Sequence, residues 1–428
     1  MADRPHVLIL GAGFAGLGAA EKLKDTPVDV TLIDKHNYHT FQPLLYQVAT
    51  NLLDVSIVGT PIRDALHDQD NLTFHQTAVS GINLADRQVH FEKMDSLTYD
   101  YLVLALGGKV NFFGVPGAAE HTFPLYTLMD AARLKQHILK RFEKADKDPS
   151  LIEDGMLNFV IVGGGPTGVE MSGALAEFIY NELVKDYPQI PVDQARVIMV
   201  EGGPALLRMF KEKLQTYTKD KLQELGVEVQ LNHHVAHVSP TRATLDSGEE
   251  IKAHTLVWAG GLLANPLVKE LEVERVRGDR LPIGPDLTLP GHPQVYVVGD
   301  IAEISAAKTA EPLPQLGSVA IQAGHHAGSS IARLIKGKSP KPFKYHDKGT
   351  MATIGPGAAV LQMPHGRTMK GKAAWLSWDV VHLALLGGGG RRASALVKYG
   401  FALFTGKRSS RIVLEEALDE EENGSQIP

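Results

Sequence analysis

The sequence predicts an α/β protein in which two similar parallel-sheet domains, the second inserted in the first, precede a C-terminal helical region. Two strands break into glycines, HVLILGAGFAGLG at 6–18 and NFVIVGGGPTGVE at 158–170. A third strand, QVYVVGD at 294–300, ends in Gly-Asp. Because a buried strand, a glycine turn and a helix form one βα unit, the repeated pattern indicates two domains of one kind.

Length and composition fit this architecture. The 428 residues can form two or three domains, because single hydrophobic cores stop growing near about 250–300 residues. Hydrophobic residues make up 44% of the chain and the net charge is −6, which argues against nucleic-acid binding. The chain has no cysteine, so thiol redox pairs are excluded and electron chemistry needs a bound cofactor. We expect no metal site, because the histidines are adjacent or scattered, and neither a signal peptide nor a spanning helix.

The first glycine loop has the GxGxxG spacing of a Rossmann-like dinucleotide-binding domain. Gly11 allows the tight turn, Gly13 lets a pyrophosphate approach the backbone, and Gly16 lets the helix pack closely on the strand. The next strand, VDVTLID, ends in Asp34, 18 residues beyond Gly16, where a carboxylate suits a ribose diol. We therefore expect a dinucleotide at this loop, in preference to a glycine-rich turn that binds nothing.

The second glycine loop has the same GxGxxG spacing, at Gly163, Gly165 and Gly168. The strand that follows, ARVIMVE, ends in Glu201. Glu201 lies 33 residues after Gly168, because a long helix and the loop YPQIPVDQ intervene. A carboxylate here repels the 2′-phosphate of NADP(H), so the sequence favours NAD(H). Arg208 is close in sequence and leaves that preference open.

Asp300, at the end of QVYVVGD, distinguishes the two nucleotides. A carboxylate there can hold the hydroxyls of the ribityl chain of a flavin, and NAD has no ribityl chain. The strand in DYLVLALGG (100–108) returns the chain to the first domain. We expect nesting of the domains to bring the two reactive rings together at their interface. The expected regions are a FAD-binding domain (1–110 and 266–335), an NADH-binding domain (111–265), a membrane-anchoring or dimerisation region (336–412) and a disordered acidic tail (413–428).

The C-terminal region contains two apolar helical segments, KAAWLSWDVVHLALL (372–386) and SALVKYGFALF (394–404). Residues 367–411 contain nine Lys or Arg and one acid, Asp379. Tryptophans 375 and 378 beside basic residues suit an amphipathic hairpin lying on an anionic membrane surface. The alternative is a helical pair that packs on the core or forms a homodimer, and both can hold.

The chain resembles the type II NADH:quinone oxidoreductases, single-subunit non-pumping NADH dehydrogenases among the flavoproteins with two dinucleotide-binding domains. The glycine loops alone identify only the wider superfamily. The resemblance rests on DKHNYHTFQPLLYQVAT (34–50), VGGGPTGVEMSGALAE (162–177), VWAGGL (257–262), VYVVGD (295–300) and YHDKGTMATIG (345–355).

The resemblance implies the residues that hold each nucleotide. Those expected at FAD are Gly11, Ala12, Gly13, Phe14, Ala15, Gly16, Asp34 and Lys35 at the adenosine and pyrophosphate, Val79 at the adenine, Asp300 at the ribityl chain, and Gln42, Tyr46, Thr50, Ala320 and Lys398 near the isoalloxazine. Those expected at NADH are Gly163, Gly164, Gly165, Gly168, Glu201, Ala259, Gly260 and Gly261. Glu170 either interacts with the dipole of its helix or places a carboxylate against the nicotinamide ring.

The quinone-site signature of the family is Ala-Gln-x-Ala-x-Gln, and the corresponding residues here are Gly317-Ser318-Val319-Ala320-Ile321-Gln322. The resemblance implies that Ser318 and Gln322 contact the quinone, with Glu170 and Gln322 as catalytic residues. Serine is shorter than the usual glutamine, so the acceptor stays open. The alternative for Gln322 is a packing role in its helix.

The function implied by the resemblance is hydride transfer from NADH to FAD and then two-electron reduction of a membrane quinone, by a peripheral protein on the cytoplasmic face of the membrane. Two alternatives remain open from sequence alone. One is a non-enzymatic NADH-sensing flavoprotein, and the other is a reductase of a different acceptor.

Overall fold

The computed structural model describes residues 4–305, 312–405, 408 and 411–413. Within these residues no helix is both long enough and apolar enough to cross a bilayer. The helices are α1 (Phe14–Leu23), α2 (Leu45–Ala49), α3 (Val55–Val58), α4 (Ile62–Ala65), α5 (Ala118–His121), α6 (Leu128–Lys147), α7 (Pro166–Phe178), α8 (Val184–Asp186), α9 (Glu212–Glu224), α10 (Gly317–Ile335), α11 (Lys372–Leu385) and α12 (Gly389–Thr405).

Short strands dominate the rest of the chain. They are β1 (His6–Leu10), β2 (Asp29–Asp34), β3 (Tyr38–Thr40), β4 (Gly59–Pro61), β5 (Leu72–Gln76), β6 (Val79–Asn83), β7 (Gln88–Phe91), β8 (Leu97–Thr98), β9 (Tyr101–Leu104), β10 (Gly108–Val110), β11 (Phe123–Pro124), β12 (Asn158–Val162), β13 (Arg196–Glu201), β14 (Val227–Leu231), β15 (Val235–Ser239), β16 (Arg242–Leu245), β17 (Glu250–Lys252), β18 (Thr255–Trp258), β19 (Leu262–Ala264), β20 (Leu281–Pro282), β21 (Thr288–Leu289), β22 (His292–Val297), β23 (Ala302–Glu303), β24 (Thr350–Gly355), β25 (Ala358–Gln362) and β26 (Thr368–Lys370).

The chain divides into two compact units. Unit 1 contains the described residues up to Thr40 together with Thr60–Lys109 and Leu262–Lys348. Its main sheet has the order β21-β22-β9-β1-β2-β5, in which the pairs from β22 to β5 are parallel and β21 is antiparallel to β22. The strand β1 is apolar throughout Val7–Leu10 and fully buried, as expected for a central parallel strand.

Helices α1 and α10 of unit 1 pack against each other through small residues. A Cβ atom added at Gly324 of α10 would overlap the carbonyl oxygen of Ala15 in α1, and one at Gly328 would overlap that of Ala19. Only glycine therefore permits this backbone approach. The contact fixes α10, which carries the expected quinone motif, against the helix that follows the first glycine loop.

Unit 2 contains Phe41–Gly59, Val110–Gly261 and the described residues from Gly349 onward. Its main sheet, β11-β18-β12-β13-β14, is entirely parallel. A second, antiparallel sheet, β24-β25-β26, lies against α7 and α11, and a Cβ at Gly173 of α7 would overlap the carbonyl oxygen of Ile354. The predicted α/β class, with two parallel-sheet units and one chain segment interrupting the other, is confirmed.

Three local features differ from the sequence prediction. The long helix after the second glycine loop is interrupted, since α7 gives way to a π-helix over Ile179–Leu183 before α8. Glu170 is the fifth residue of α7 and lies beyond its first turn, so the dipole interpretation of this acid is wrong. The sheet formed by β24, β25 and β26 was not among the predicted elements.

Candidate functional site

The first glycine loop, in unit 1, has the geometry that a pyrophosphate needs. Gly11 has φ +102°, and a Cβ there would overlap the carbonyl oxygen of Ala105, so only glycine fits. A Cβ at Gly16 would overlap the carbonyl oxygen of Gly11, which explains the close approach of α1 to β1. A Cβ at Gly13 would meet no protein atom within 4 Å, so this backbone faces open space. The loop thus leaves room for an anion at the N-terminus of α1.

Asp34 is hydrogen-bonded to the backbone of this loop. One carboxylate oxygen accepts a hydrogen bond from the backbone N–H of Ala12 at 2.7 Å, and the other accepts from His36 at 2.8 Å. The carboxylate is thereby held at the end of β2 beside the glycine turn, where a ribose would lie. Phe14 packs edge-on against His39, while Lys35 is exposed.

The second glycine loop, in unit 2, repeats this arrangement. Gly163 has φ +109° and would bring a Cβ to 2.7 Å from the carbonyl oxygen of Ala259, whereas a Cβ at Gly165 would meet nothing within 4 Å. Glu201 accepts from the backbone N–H of Gly164 at 2.6 Å and of Gly203 at 2.7 Å. The structure therefore brings Glu201 to a glycine loop that ends 33 residues earlier in the chain. Asp34 has the equivalent position beside the first loop in unit 1.

The segment Ala259-Gly260-Gly261 borders the second loop. Ala259 donates its backbone N–H to Val162 at 2.8 Å, and the carbonyl of Gly261 accepts from Asn111 at 3.0 Å. A Cβ at Gly260 would lie 2.8 Å from the indole nitrogen of Trp258. These residues thus form a glycine-rich wall beside the N-terminus of α7.

A pocket in unit 1 contains Asp300 and Ala320. Asp300 follows Gly299, whose φ is +75°, at the end of the strand β22. The carbonyl oxygen of Asp300 accepts from the side-chain amide of Gln315 at 2.9 Å, which ties the turn to the start of α10. Val79 begins β6 and is half-buried. The pocket is lined by Gly299, Asp300, Ala302, Ile304, Leu313, Pro314, Gln315, Leu316, Val319 and Ala320.

Ser318 and Gln322 lie one turn apart on α10 and both bond the segment 345–346. The hydroxyl of Ser318 is 3.1 Å from that of Tyr345. The side-chain amide of Gln322 donates to the carbonyl of His346 at 3.1 Å, and its oxygen accepts the backbone N–H of His346 at 2.9 Å. The polar ends of both expected quinone residues therefore position this segment, and Tyr345 brings a second hydroxyl to the motif.

Gln42, Tyr46, Thr50 and Lys398 lie in unit 2, whereas the other residues expected at FAD lie in unit 1. Tyr46 is buried and its hydroxyl accepts from the side-chain amide of Gln47 at 2.9 Å. The oxygen of that amide accepts from the hydroxyl of Tyr399 at 2.7 Å, so α12 is joined to α2.

Glu170 of unit 2 has a strongly raised pKa. The residue is half-buried, and its carboxyl group accepts the backbone N–H of Thr353 at 3.2 Å. Burial raises the pKa of Glu170 to about 8, against opposing effects of Thr353 and Trp378. Burial, followed by the neighbouring Glu170, raises the pKa of Tyr46 well above its ordinary value. We therefore expect Glu170 to carry a proton at neutral pH, which suits a hydrogen-bond or proton donor.

The inner face of α11 contains Trp378, which the sequence had placed on a membrane surface. Trp378 is 1% exposed and stacks on His382 with ring centroids 3.8 Å apart, so the expectation that it enters a membrane is wrong. It also lies edge-on to Tyr46. Burial raises the pKa of Asp379 to about 6 and lowers that of His382 to about 4. The spacing of Trp378 and His382 by four residues marked one face, but did not show that this face points inward.

The basic C-terminal segment is partly neutralised within unit 2. Arg408 is 2% exposed at its side chain and pairs with Glu177 and Glu182, each at 2.6 Å. Arg411 pairs with Glu182 and Asp186. Arg408 is therefore not available to a membrane surface. Its partner acids lie outside residues 367–411, so the charge of that segment alone did not reveal the pairing.

Two further cations of this segment also have partners. Lys398, expected near the flavin, forms an ion pair with Asp54 at 2.9 Å. Arg392 donates to the carbonyls of Ala384 and Leu386 and so covers the end of α11.

Known proteins are similar to this chain in sequence and in fold. The model of the pyridine nucleotide-disulphide oxidoreductase family matches residues 5–324. The chain is 37% identical to the type II NADH:quinone oxidoreductase NdhA of Mycobacterium tuberculosis, over 97% of this chain and 90% of that protein. It is 31% identical to the type II NADH:quinone oxidoreductase of Staphylococcus haemolyticus, over 87% and 92% respectively. The structure of NDH2 from Plasmodium falciparum in complex with NADH has a TM-score of 0.89 at 22% identity, covering 96% of this chain and 100% of that chain, which shows a shared fold.

Proposed function

Because this chain belongs to the type II NADH:quinone oxidoreductase family, we propose that it transfers a hydride from NADH to bound FAD and then two electrons to a membrane quinone, without pumping protons. It is thus an FAD-dependent enzyme that uses NADH. The non-enzymatic NADH-sensing alternative is not favoured, since the relatives at 31–37% identity are named as oxidoreductases.

The observation that carries the proposal is the repetition of one nucleotide-holding geometry in both units. Each unit has a positive-φ glycine at the turn, an open glycine two residues later, and a carboxylate held by two backbone N–H groups. Asp300 in the pocket of unit 1 adds a carboxyl group suited to ribityl hydroxyls. These residues fit FAD in unit 1 and NADH in unit 2.

The test follows the flavin in the purified protein. Under anaerobic conditions we expect NADH to bleach the flavin absorbance, and a menaquinone or ubiquinone analogue to restore it in stopped-flow mixing. Bleaching that no quinone analogue reverses would contradict the quinone half of the proposal and favour a different acceptor. Release of FMN by heat or acid would contradict FAD as the cofactor.

Glu170 and Gln322 are the residues we assign to the acceptor chemistry. Glu170 holds a proton at neutral pH beside the buried hydroxyl of Tyr46, so it can donate that proton where negative charge develops. Gln322 and Ser318 hold the 345–346 segment against α10, and with it the hydroxyl of Tyr345. Within unit 1, the hydroxyls of Ser318 and Tyr345 and the side-chain amide of Gln322 offer hydrogen-bond donors for a quinone carbonyl.

We assign the outer faces of α11 and α12 to a membrane surface. Large apolar side chains stand exposed there in a group, which is unusual for a water-facing helix pair. A long-tailed quinone stays in the bilayer, so an apolar surface on a peripheral protein would bring the enzyme to its acceptor at the cytoplasmic face. A homodimer through the same helices is the alternative occupant. The exposed residues are Leu376, Val380, Val381, Leu385, Leu396, Val397 and Phe401.

Vesicle binding distinguishes the two occupants. We expect co-sedimentation with anionic lipid vesicles and a monomer in dilute detergent-free solution. A stable dimer that ignores vesicles would assign the apolar faces to a second copy of the chain.

A further inference from the structure

Phe113 is an exposed aromatic residue in a strained turn of unit 2. Its φ is +52°, a left-handed conformation that a bulky residue rarely adopts, and it is 64% exposed. The ring of the preceding residue, Phe112, packs instead against Trp258, with ring centroids 5.8 Å apart. The turn therefore directs one phenylalanine inward and the next to the surface. Backbone strain of this kind is common where a side chain must be held in one direction for function.

Asn111 joins this turn to the glycine-rich wall formed by Ala259-Gly260-Gly261. Its backbone N–H donates to the carbonyl of Gly261 at 3.0 Å, and its carbonyl accepts the indole N–H of Trp258 at 2.8 Å. Its side-chain oxygen accepts the backbone N–H of Phe113 at 2.8 Å. The position of Phe113 is thus set by the same hydrogen bonds that hold the wall.

The ring of Phe113 borders this wall. A Cβ atom at Gly260 would lie 3.3 Å from Cε2 of Phe113, and one at Gly261 would lie 3.5 Å from its Cζ. Because glycine has no side chain at either position, a flat ligand group can approach the backbone and the ring at the same place. The exposed ring and the bare backbone together therefore offer an apolar surface for such a group.

The sheet order indicates which half of NADH would face this surface. In unit 2 the strands have the order β11-β18-β12-β13-β14 and all are parallel, so their carboxyl ends lie at one edge. The glycine loop suited to the pyrophosphate follows β12, and Glu201, suited to the adenosine ribose, ends β13. The nicotinamide half would then extend to the other side of β12, where β18 ends and the wall begins.

We propose that Phe113 contacts the nicotinamide ring of NADH and holds it for hydride transfer. The inference rests on the proposed function and adds a substrate-contacting residue to it. When NADH gives its hydride to the flavin, its uncharged dihydronicotinamide ring becomes a pyridinium cation. The face of a phenyl ring attracts a cation, so this contact becomes stronger as the hydride leaves. Phe113 should therefore increase the rate of the transfer as well as the affinity for the nucleotide.

The test compares Phe113→Leu with Phe113→Tyr, because both keep the Cβ and hence the backbone strain, but only tyrosine keeps an aromatic ring. Flavin reduction by NADH is followed anaerobically in stopped-flow mixing, without quinone, to obtain the limiting rate and the apparent Kd. We expect Phe113→Leu to lower the limiting rate roughly threefold to tenfold, and Phe113→Tyr to keep it within about twofold. Met129→Leu, which changes an exposed apolar side chain of α6, is the matched control and should alter neither value. A limiting rate that Phe113→Leu leaves unchanged would overturn the proposal.

Calorimetry on the oxidised holoprotein separates this inference from the proposed function, since it needs no quinone. NAD⁺ carries the cationic nicotinamide ring, whereas ADP-ribose has the same adenosine and pyrophosphate without that ring. Phe113→Leu should weaken binding of NAD⁺ roughly threefold to tenfold and leave binding of ADP-ribose unchanged. An equal loss for both ligands would assign Phe113 to the shape of the nucleotide loop and overturn the proposal. Failure of the wild type to pass electrons to any quinone would contradict only the proposed function.

Discussion

Glu170→Gln tests whether the carboxyl in α7 is neutral in the folded protein. The pKa of this acid rises from 4.5 to about 8 on folding, mainly through burial. Below pH 4.5 both folded and unfolded chains keep the proton. Between pH 4.5 and 8 the unfolded chain releases it while the folded chain does not, so stability falls as the pH rises. Above pH 8 both forms are ionised and the full cost applies.

The magnitude follows from the pKa shift. A rise from 4.5 to about 8 corresponds to about 5 kcal/mol of unfolding free energy lost across that range. Because water reaches part of this half-buried side chain, we expect about half of that value, roughly 2–3 kcal/mol. Glutamine cannot ionise, so Glu170→Gln lacks this pH dependence.

The assay is urea unfolding of wild type and Glu170→Gln at several values between pH 5 and 9. The difference between the two proteins cancels the other titrating groups. It should change by roughly 2–3 kcal/mol in favour of the variant as the pH rises to 8. Glu212→Gln, an exposed acid at the start of α9, is the matched control and should give a flat difference. A flat difference for Glu170→Gln as well would refute a buried neutral carboxyl.

Three other changes test separate parts of the structure. Gly13→Ala should leave the apoprotein as stable as wild type, because its Cβ meets no protein atom, yet weaken FAD binding at least tenfold, as read from bound-flavin absorbance; unchanged flavin content would exclude this backbone from the pyrophosphate site. Arg408→Met should lower the unfolding free energy by about 3–5 kcal/mol in urea, because Glu177 and Glu182 lose their buried cation, whereas Arg391→Met should cost far less. Replacing Leu376, Val380 and Phe401 by serine should abolish vesicle co-sedimentation without lowering the melting temperature, and persistent sedimentation would exclude these faces as the membrane contact.

The nucleotide loops could be predicted because their signal is local. Gly11, Gly13 and Gly16 are fixed in spacing by the turn that they form, and the same holds at 163, 165 and 168. The pairing of Glu201 with Gly164 was also within reach, because successive parallel strands end at one edge of a sheet. Local chemistry of this kind survives a change in the length of the intervening helix.

Contacts between distant segments could not be predicted in this way. Arg408 and Glu182 are 226 residues apart, and no periodicity relates them. Trp378 looked like a membrane anchor because helical spacing identifies a stripe of residues, but not which side of the helix is covered. The partners of Gln322 were hidden for the same reason, since the backbone at His346 reaches α10 only through the folded chain.

The buried pairing of Arg408 has a practical consequence for making a water-soluble form of the enzyme. Trimming the chain before α11 would remove the apolar faces, but it would also leave Glu177 of α7 and Glu182 of the π-helix as uncompensated charges. It would take Trp378 from the protein interior as well. The segment that we propose as the membrane contact thus also stabilises the interior of unit 2. Solubility is better sought by exchanging only the exposed apolar side chains of α11 and α12, while Trp378, Arg408 and Arg411 are kept.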